Sequence, residues 1–226
     1  MSISIPFPTI VVDNFFETPS VIRNWALSLD YYPCKDHPDK GNWPGVRAAP
    51  LLHQTDWMFH QRLASKVIQY IPGKTYFDQL DVTFHICTED YESGWIHRDS
   101  DDFGIGGIIY LNEHCPQGSG TSIYDVPNND DSINYTEEFQ TNVNTDDPEL
   151  RKSLNKHRLE CNKHFIPNTT VEARYNRCVI FDGRKYHSGG DFFGTDNQTG
   201  RLTLVCLLYT SPSPRDATLS RMPSSA

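Results

Sequence analysis

Hydrophobic positions along the chain change period once. In the first third they follow a helix. Val21, Trp25 and Leu29 recur at helical spacing behind Thr18 and Pro19, which suit an N-cap and a first helical residue, so the pattern predicts a helix through "PSVIRNWALSL". A second amphipathic helix is expected after Asp56, with Leu63, Val67 and Ile71 inside and Pro72-Gly73 as its stop. Before them, "PTIVVDNFF" (Pro8 to Phe16) reads as a short strand and a turn; between them, "YYPCKDHPDKGNWPGVRAAP" reads as a loop. From Leu80 the period falls to two. "LDVTFHIC", "GIGGIIYLN", "GTSIYDV", "TTVEARY", "RCVIFD" and "RLTLV" are β-branched or aromatic runs divided by Gly, Asn and Asp. A polar insert between Pro127 and Pro167 divides into a loop and a helix, "DPELRKSLNKHRLECNKHF". Helices followed by several short antiparallel strands predict an α+β protein with a jelly-roll or small-barrel core.

Composition narrows the function classes. The chain has 226 residues, 37% of them hydrophobic, which suits one globular domain. Its 20 basic and 29 acidic residues leave a net charge of −9, which argues against a nucleic-acid or anionic-membrane surface. The N-terminus lacks the basic and apolar regions of a signal peptide, and no apolar run approaches the roughly 20 residues of a membrane helix. A cytoplasmic protein is expected.

The segment "CLLYTSPSPRDATLSRMPSSA" (Cys206 to Ala226) resembles the in-frame translation of a transposase-type sequencing adapter. It is expected to be non-native, and the functional reading ends at Val205. Without it, 18 basic and 28 acidic residues remain, a net charge of −10. Cys34, Cys87, Cys115, Cys161 and Cys178 then show no CxxC pair and no zinc-ribbon spacing, the pattern of reduced thiols.

One stretch carries candidate chemistry. "GWIHRDSDDFGIGGIIYLNE" sets His97 and Asp99 two residues apart at the edge of an apolar run. Alone, this is equally a polar turn closing a hairpin. A third residue changes the balance: "RCVIFDGRKYHSGGDFFG" ends an apolar strand in a turn that presents His187. Two imidazoles and a carboxylate can occupy one face of an Fe(II) octahedron and leave three positions open. Fourteen residues later, "GRLTLV" begins a strand with Arg201, and Thr203 follows on the same face. An Arg fork beside a hydroxyl suits the distal end of a dicarboxylate, although Arg201 alone reads equally as an exposed charge at a strand start.

Taken in order, "HRD", "GGIIYLNE", "GSGTSIY", "RCVIFDGRKYHSGG" and "GRLT" resemble the Fe(II)- and 2-oxoglutarate-dependent oxygenases of the double-stranded β-helix fold, nearest their prolyl-hydroxylase-like branch. The resemblance spans Leu80 to Val205. It implies a single oxygenase domain over 1–205, with a strand and supporting helices in 1–79, the β-helix core in 80–205 and the polar insert at 128–167. It implies His97, Asp99 and His187 as metal ligands, with Arg201, Tyr110 and Thr203 holding the C5 carboxylate of 2-oxoglutarate. Tyr110 reads alternatively as core packing with a satisfied hydroxyl. His85 and Tyr91 are candidates near the C1 carboxylate, and each reads equally as a structural residue. The implied reaction hydroxylates a small-molecule or peptidyl substrate with O2 and 2-oxoglutarate and releases succinate and CO2. The carboxylate of Asp99 leaves no room for a halide and favours hydroxylation over halogenation.

The chain departs from that branch in the longer gap between His187 and Arg201, where "GGDFFGTDNQT" is inserted. Two alternatives stay open: a cupin-like metalloenzyme that does not use 2-oxoglutarate, and a β-helix binding module without catalysis. The loop "GNWPGVRAAP" reads either as a cover over the mouth of the site, with Arg47 meeting an anionic group and Trp43 an apolar one, or as an ordinary surface loop anchored by Trp43. By the same logic the polar insert reads as a lid.

Overall fold

A single strand sorts the molecule into two environments. In the computed structural model, which describes residues 8–39, 43–51, 57–74, 77–99, 104–125, 145 and 147–209, the last strand, β10 (Arg201–Tyr209), lies at the middle of a seven-stranded antiparallel sheet. Its neighbours on one side are β5 (Ile105–Tyr110), β8 (Cys178–Asp182) and β1 (Ile10–Val12). On the other side stand β4 (Gln79–Cys87), β3 (Val46–Ala48) and β2 (Tyr31–Pro33). Successive side chains of a strand point to opposite faces. Leu202, Leu204, Cys206 and Leu208 therefore enter the main core with Phe84, Ile86, Ile109 and Ile180. Arg201, Thr203, Val205 and Leu207 face a cleft on the other side.

Two helices cover the apolar face. They are α1 (Pro19–Leu27) and α2 (Trp57–Ile68), which pack Ala26, Leu63, Ala64, Val67 and Ile68 onto the sheet. Trp25 sets its ring edge-on to Phe84 at 5.1 Å and to Phe59 at 5.3 Å, tying both helices to β4. Helix α1 starts where expected, with Pro19 in its first turn, yet Thr18 makes no side-chain capping bond. Its buried stripe is Ile22, Trp25, Ala26 and Leu29, while Val21 is 61% exposed. The 21-25-29 spacing fits a helix, but the adjacent 22-25-26-29 row is the one that meets the sheet. Helix α2 ends at Ile68, and Ile71 packs from the turn that follows.

A second, three-stranded sheet faces the cleft, in the order β7 (Pro167–Val171), β6 (Thr121–Tyr124), β9 (Tyr186–Gly189). Bridges from Ser93 to Asp191 and from His97 to His187 bring residues 93–97 alongside β9 as a fourth, irregular line. Strands thus alternate between the sheets in chain order: β4, then 93–97, β5, then β6 and β7, β8, β9, β10. That alternation is a double-stranded β-helix, the expected fold class.

Three strands were not anticipated. β2 and β3 form an antiparallel hairpin inside the expected loop, with Tyr32 opposite Arg47, and β3 extends the large sheet by pairing Arg47 with His85. They are three residues each and rich in Pro and Gly surroundings, too short for a period to appear. β9, "YHSG", carries His187 itself. It was expected as a turn because it lacks β-branched residues.

The helical half of the insert is α3 (Pro148–Asn162), capped by the Asp147 carboxylate on the amides of Glu149 and Leu150. Its loop half, 126–144 and 146, lies outside the described residues, as do 210–226. β10 carries the in-out alternation through Cys206, Leu207 and Leu208, into the segment set apart as non-native. All six cysteines are free thiols. No described helix is long and apolar enough to cross a membrane.

The two faces of the fold carry different weights. Leu204, with no exposed surface, sits at the centre of the main core. Leu204→Ala is expected to cost about 2–5 kcal/mol in urea unfolding, whereas Val21→Ala stays within about 0.5 kcal/mol.

Candidate metal centre

The centre begins with a backbone pairing. His97 N–H donates to His187 O at 3.0 Å, and His187 N–H donates back to His97 O at 2.8 Å. This closed pair sets the two imidazoles side by side, with ring centroids 4.5 Å apart. Asp99 is fixed two residues on, its N–H donating to Gly183 O at 2.9 Å in the turn between β8 and β9. That turn is held by the Asp182 carboxylate, which accepts from Arg184 Nε at 2.8 Å and Nη2 at 2.6 Å. Ligand atoms of His97, Asp99 and His187 consequently lie within 4.8 Å of one another.

The ring protons follow from the acceptors. His97 Nδ1 lies 3.1 Å from Trp95 O, and His187 Nδ1 lies 2.9 Å from Lys185 O. A carbonyl only accepts, so each Nδ1 carries the proton and each Nε2 presents a lone pair. Both lone pairs turn toward one carboxylate: His97 Nε2 is 3.9 Å from Asp99 Oδ1, and His187 Nε2 is 3.7 Å from Oδ2. Asp99 Oδ2 is buried without a hydrogen-bond partner. Two neutral imidazoles and a carboxylate, all aimed inward and not bonded to each other, fit a divalent cation. A backbone carbonyl behind each imidazole is the outer contact that fixes a ligand's tautomer.

Burial keeps the imidazoles neutral. It pushes His187 down to about 4. Desolvation and then the charge His187 would carry also lower His97, though 42% of its side chain is open to solvent. Burial raises Asp99, and the charge that His97 would carry if protonated, then that of Arg47, oppose the rise.

Close packing supports the ligands. Phe181 backs His187 with ring centroids 4.6 Å apart, and its ring fills the space where a Cβ on Gly106 would stand, 2.7 Å away. Gly94 allows the crossing of 93–97 over β9, because a Cβ there would meet Gly189 N at 2.9 Å. Asn162 of α3 clamps the approach to His97: its amide donates to Gly94 O at 3.0 Å, and its carbonyl accepts from Ile96 N at 3.2 Å. Helix α3 is in this respect a brace on the ligand strand. None of Asn162, Gly106 and Phe181 stood out in the sequence, since an amide, a glycine and a phenylalanine have no distinctive spacing.

The cleft beside the three ligands has a volume of about 790 Å3, part of it open to solvent. Arg201 and Thr203 line it, as expected. Arg201 is buried, its Nε donating to Ser119 O at 2.8 Å and its Nη2 to Gly120 O at 3.1 Å, between the rings of Tyr110 (5.4 Å) and Phe192 (5.6 Å). Thr203 stands opposite both Tyr110 and His85 in the sheet register. The Tyr110 hydroxyl donates to Thr121 Oγ1 at 2.6 Å, so its proton is directed away from the cleft; its ring supports the Arg201 guanidinium. His85 lines the cleft, with Nε2 donating to Pro44 O at 2.6 Å. Tyr91 does not line it and lies under Arg151 of α3, 5.1 Å from the ring centroid. Arg47 and Trp43 both face the cleft.

Comparisons with known proteins agree on the fold. The sequence profile of a family of unknown function (DUF6445) matches residues 6–208. No curated protein matches. The structure of HygX from Streptomyces hygroscopicus, with nickel and 2-oxoglutarate bound, is similar at a TM-score of 0.53 and 14% identity, over 89% of this chain and 83% of that one. The epimerase SnoN in complex with Fe3+, alpha ketoglutarate and nogalamycin RO is similar at 0.51 and 17%, over 96% of this chain and 86% of that one. These likenesses are of fold.

An unfolded imidazole takes its proton near 6.5, whereas folded His187 does so only near 4, so protonation favours the unfolded chain. The metal-free fold is expected to lose stability as pH falls from about 6.5 to about 4. Ni(II) affinity, by calorimetry, is expected to stay nearly flat from about pH 8 down to about pH 5 and to fall as pH approaches about 4, because ligand imidazoles must be neutral.

Proposed function

The chain belongs to the DUF6445 family, and from its centre of two histidines and an aspartate we propose that it is an Fe(II)- and 2-oxoglutarate-dependent dioxygenase that hydroxylates a small-molecule or peptidyl substrate. The observation that carries the reading is the convergence of His97 Nε2, His187 Nε2 and the Asp99 carboxylate within 4.8 Å at the edge of a cleft containing Arg201. Fe(II) and 2-oxoglutarate supply the oxidising chemistry, coupling decarboxylation of the cosubstrate to succinate and CO2 with O2-driven oxidation of a substrate C–H bond.

The protein's own residues bind and orient. His97, Asp99 and His187 would hold the metal, and among the described residues no further His, Cys, Asp or Glu joins that group. Arg201 meets the far carboxylate of 2-oxoglutarate. Its Nε and one terminal nitrogen are fixed on carbonyls, and the remaining terminal nitrogen is the donor for the ligand. Thr203 adds a hydroxyl on the same face, and Tyr110 holds the guanidinium plane from beneath. Ile108, Phe181 and Val205 line the cleft with hydrocarbon and exclude water. The similar folds of HygX, with nickel and 2-oxoglutarate, and SnoN, with Fe3+ and alpha ketoglutarate, lend the reading support. Residues 80–205 form the oxygenase core in this reading, and 206–226 are not part of the natural chain.

One observation favours a second reading. Arg201 already makes two hydrogen bonds to carbonyls, as a purely structural arginine would. The protein is then a cupin-like metalloenzyme without 2-oxoglutarate.

Variants separate the two. Asp99→Ala is expected to weaken Fe(II) binding by more than the roughly 10–100-fold that loss of an outer contact costs. Arg201→Ala is expected to leave metal affinity unchanged and to weaken 2-oxoglutarate about 10–100-fold, the loss of a charge-assisted hydrogen bond. Both are read by anaerobic calorimetry. An Arg201→Ala variant that binds 2-oxoglutarate as wild type does, or a wild type that does not bind it, selects the second reading.

A further inference from the structure

Two arginines line the cleft, and the protein treats them differently. Arg201 is anchored on two carbonyls. Arg47 has no carboxylate or carbonyl partner among the described residues: its Nε is sealed from solvent with no acceptor, and its guanidinium lies over the Trp43 ring at 4.3 Å. The carboxylates of Asp81 on β4 and of Asp99 act on its charge through space, without a hydrogen bond or ion pair to it. His85, directly opposite, donates its Nε2 proton to Pro44 O, and burial together with the Arg47 charge keeps that ring neutral. Arg47 as a whole is half-buried, but a guanidinium N–H sealed from solvent without an acceptor is costly, and such groups in native structures call for an explanation. Stacking on an indole offsets part of the cost and holds the fork flat without using its donors.

Position separates Arg47 from the cosubstrate end. In the sheet register Thr203 faces His85, and His85 faces Arg47, which puts Arg47 two strands, roughly 10 Å, from Thr203. Trp95 joins the two regions: it packs against the Trp43 cluster and meets His97 edge-on, ring centroids 6.3 Å apart. The path from Arg47 to the metal ligands is therefore one wall of aromatic surface, Trp43 then Trp95, ending at His97.

We propose that Arg47 is the recognition point for an anionic group, carboxylate or phosphate, on the primary substrate, whose apolar body lies along Trp43 and Trp95 and reaches the His97-Asp99-His187 centre. A planar fork donates two parallel hydrogen bonds to either anion. This inference rests on the proposed function for its statement that Arg201, and not Arg47, holds 2-oxoglutarate.

The test is calorimetry on the Ni(II)-loaded protein saturated with 2-oxoglutarate, titrated with phenylacetate, phenyl phosphate and the neutral twin phenylacetamide. At least one anion is expected to bind about tenfold or more tightly than the amide, and Arg47→Gln to abolish that preference while leaving 2-oxoglutarate affinity unchanged. Comparison of the two anions tells carboxylate from phosphate. Arg47→Lys, which keeps the charge and loses the fork, is expected to recover part of the preference and guards against a folding defect in the glutamine variant. Equal binding of anions and amide, no binding of any probe, or a preference that survives in Arg47→Gln overturns the proposal. So does a loss of 2-oxoglutarate affinity in Arg47→Gln, which would make Arg47 the cosubstrate clamp. If wild type binds no 2-oxoglutarate, the same titration without it still reports on Arg47, so failure of the proposed function and failure of this inference give different results.

Discussion

Two backbone hydrogen bonds between His97 and His187 are the constraint on which the candidate site depends. They join residues ninety positions apart in the chain and do so through main-chain atoms, so the spacing of the two imidazoles is set by strand pairing. Everything else in the centre refines that pairing. The carbonyls of Trp95 and Lys185, each two residues before its histidine, fix the ring protons on Nδ1. The turn at 182–185 delivers Asp99, and Asn162 holds the incoming strand. A rigid frame of this kind keeps three polar groups together at the cleft edge although burial disfavours their charged forms.

The second organising fact is the division of labour across the large sheet. One strand period separates an apolar core from a cleft that holds polar groups, so the residues that pack one face also aim Arg201 and Thr203 from the other. Stability and binding are built on alternate positions of β10. Substitutions on one set are expected to be felt by the other only through backbone shifts.

Much of this was legible in the sequence, and the reasons are physical. The period change at Leu80 marks where β-helix strands begin, because half-buried strands must alternate. The spacing of His97 and Asp99 carried little alone and gained weight only from His187 after an apolar strand; the fold brings the three within 4.8 Å. Where the residues carried no period, reading failed. The β2–β3 hairpin is three residues a side, and β9 is polar because its side chains serve the site and the facing sheet. Tyr110 shows a different limit: a sequence places the residue in the strand but does not say where its hydroxyl proton goes, and Thr121 receives it. Arg47 illustrates the same point in reverse. Its charge was visible, whereas its lack of a partner is a property of the fold.

The most direct measurement is anaerobic Fe(II) titration of the unmodified protein in the presence of 2-oxoglutarate, followed by visible spectroscopy. The account predicts a weak charge-transfer band that saturates at one equivalent of metal and requires the cosubstrate. A folded protein that binds Fe(II) yet develops no band on addition of 2-oxoglutarate would contradict it.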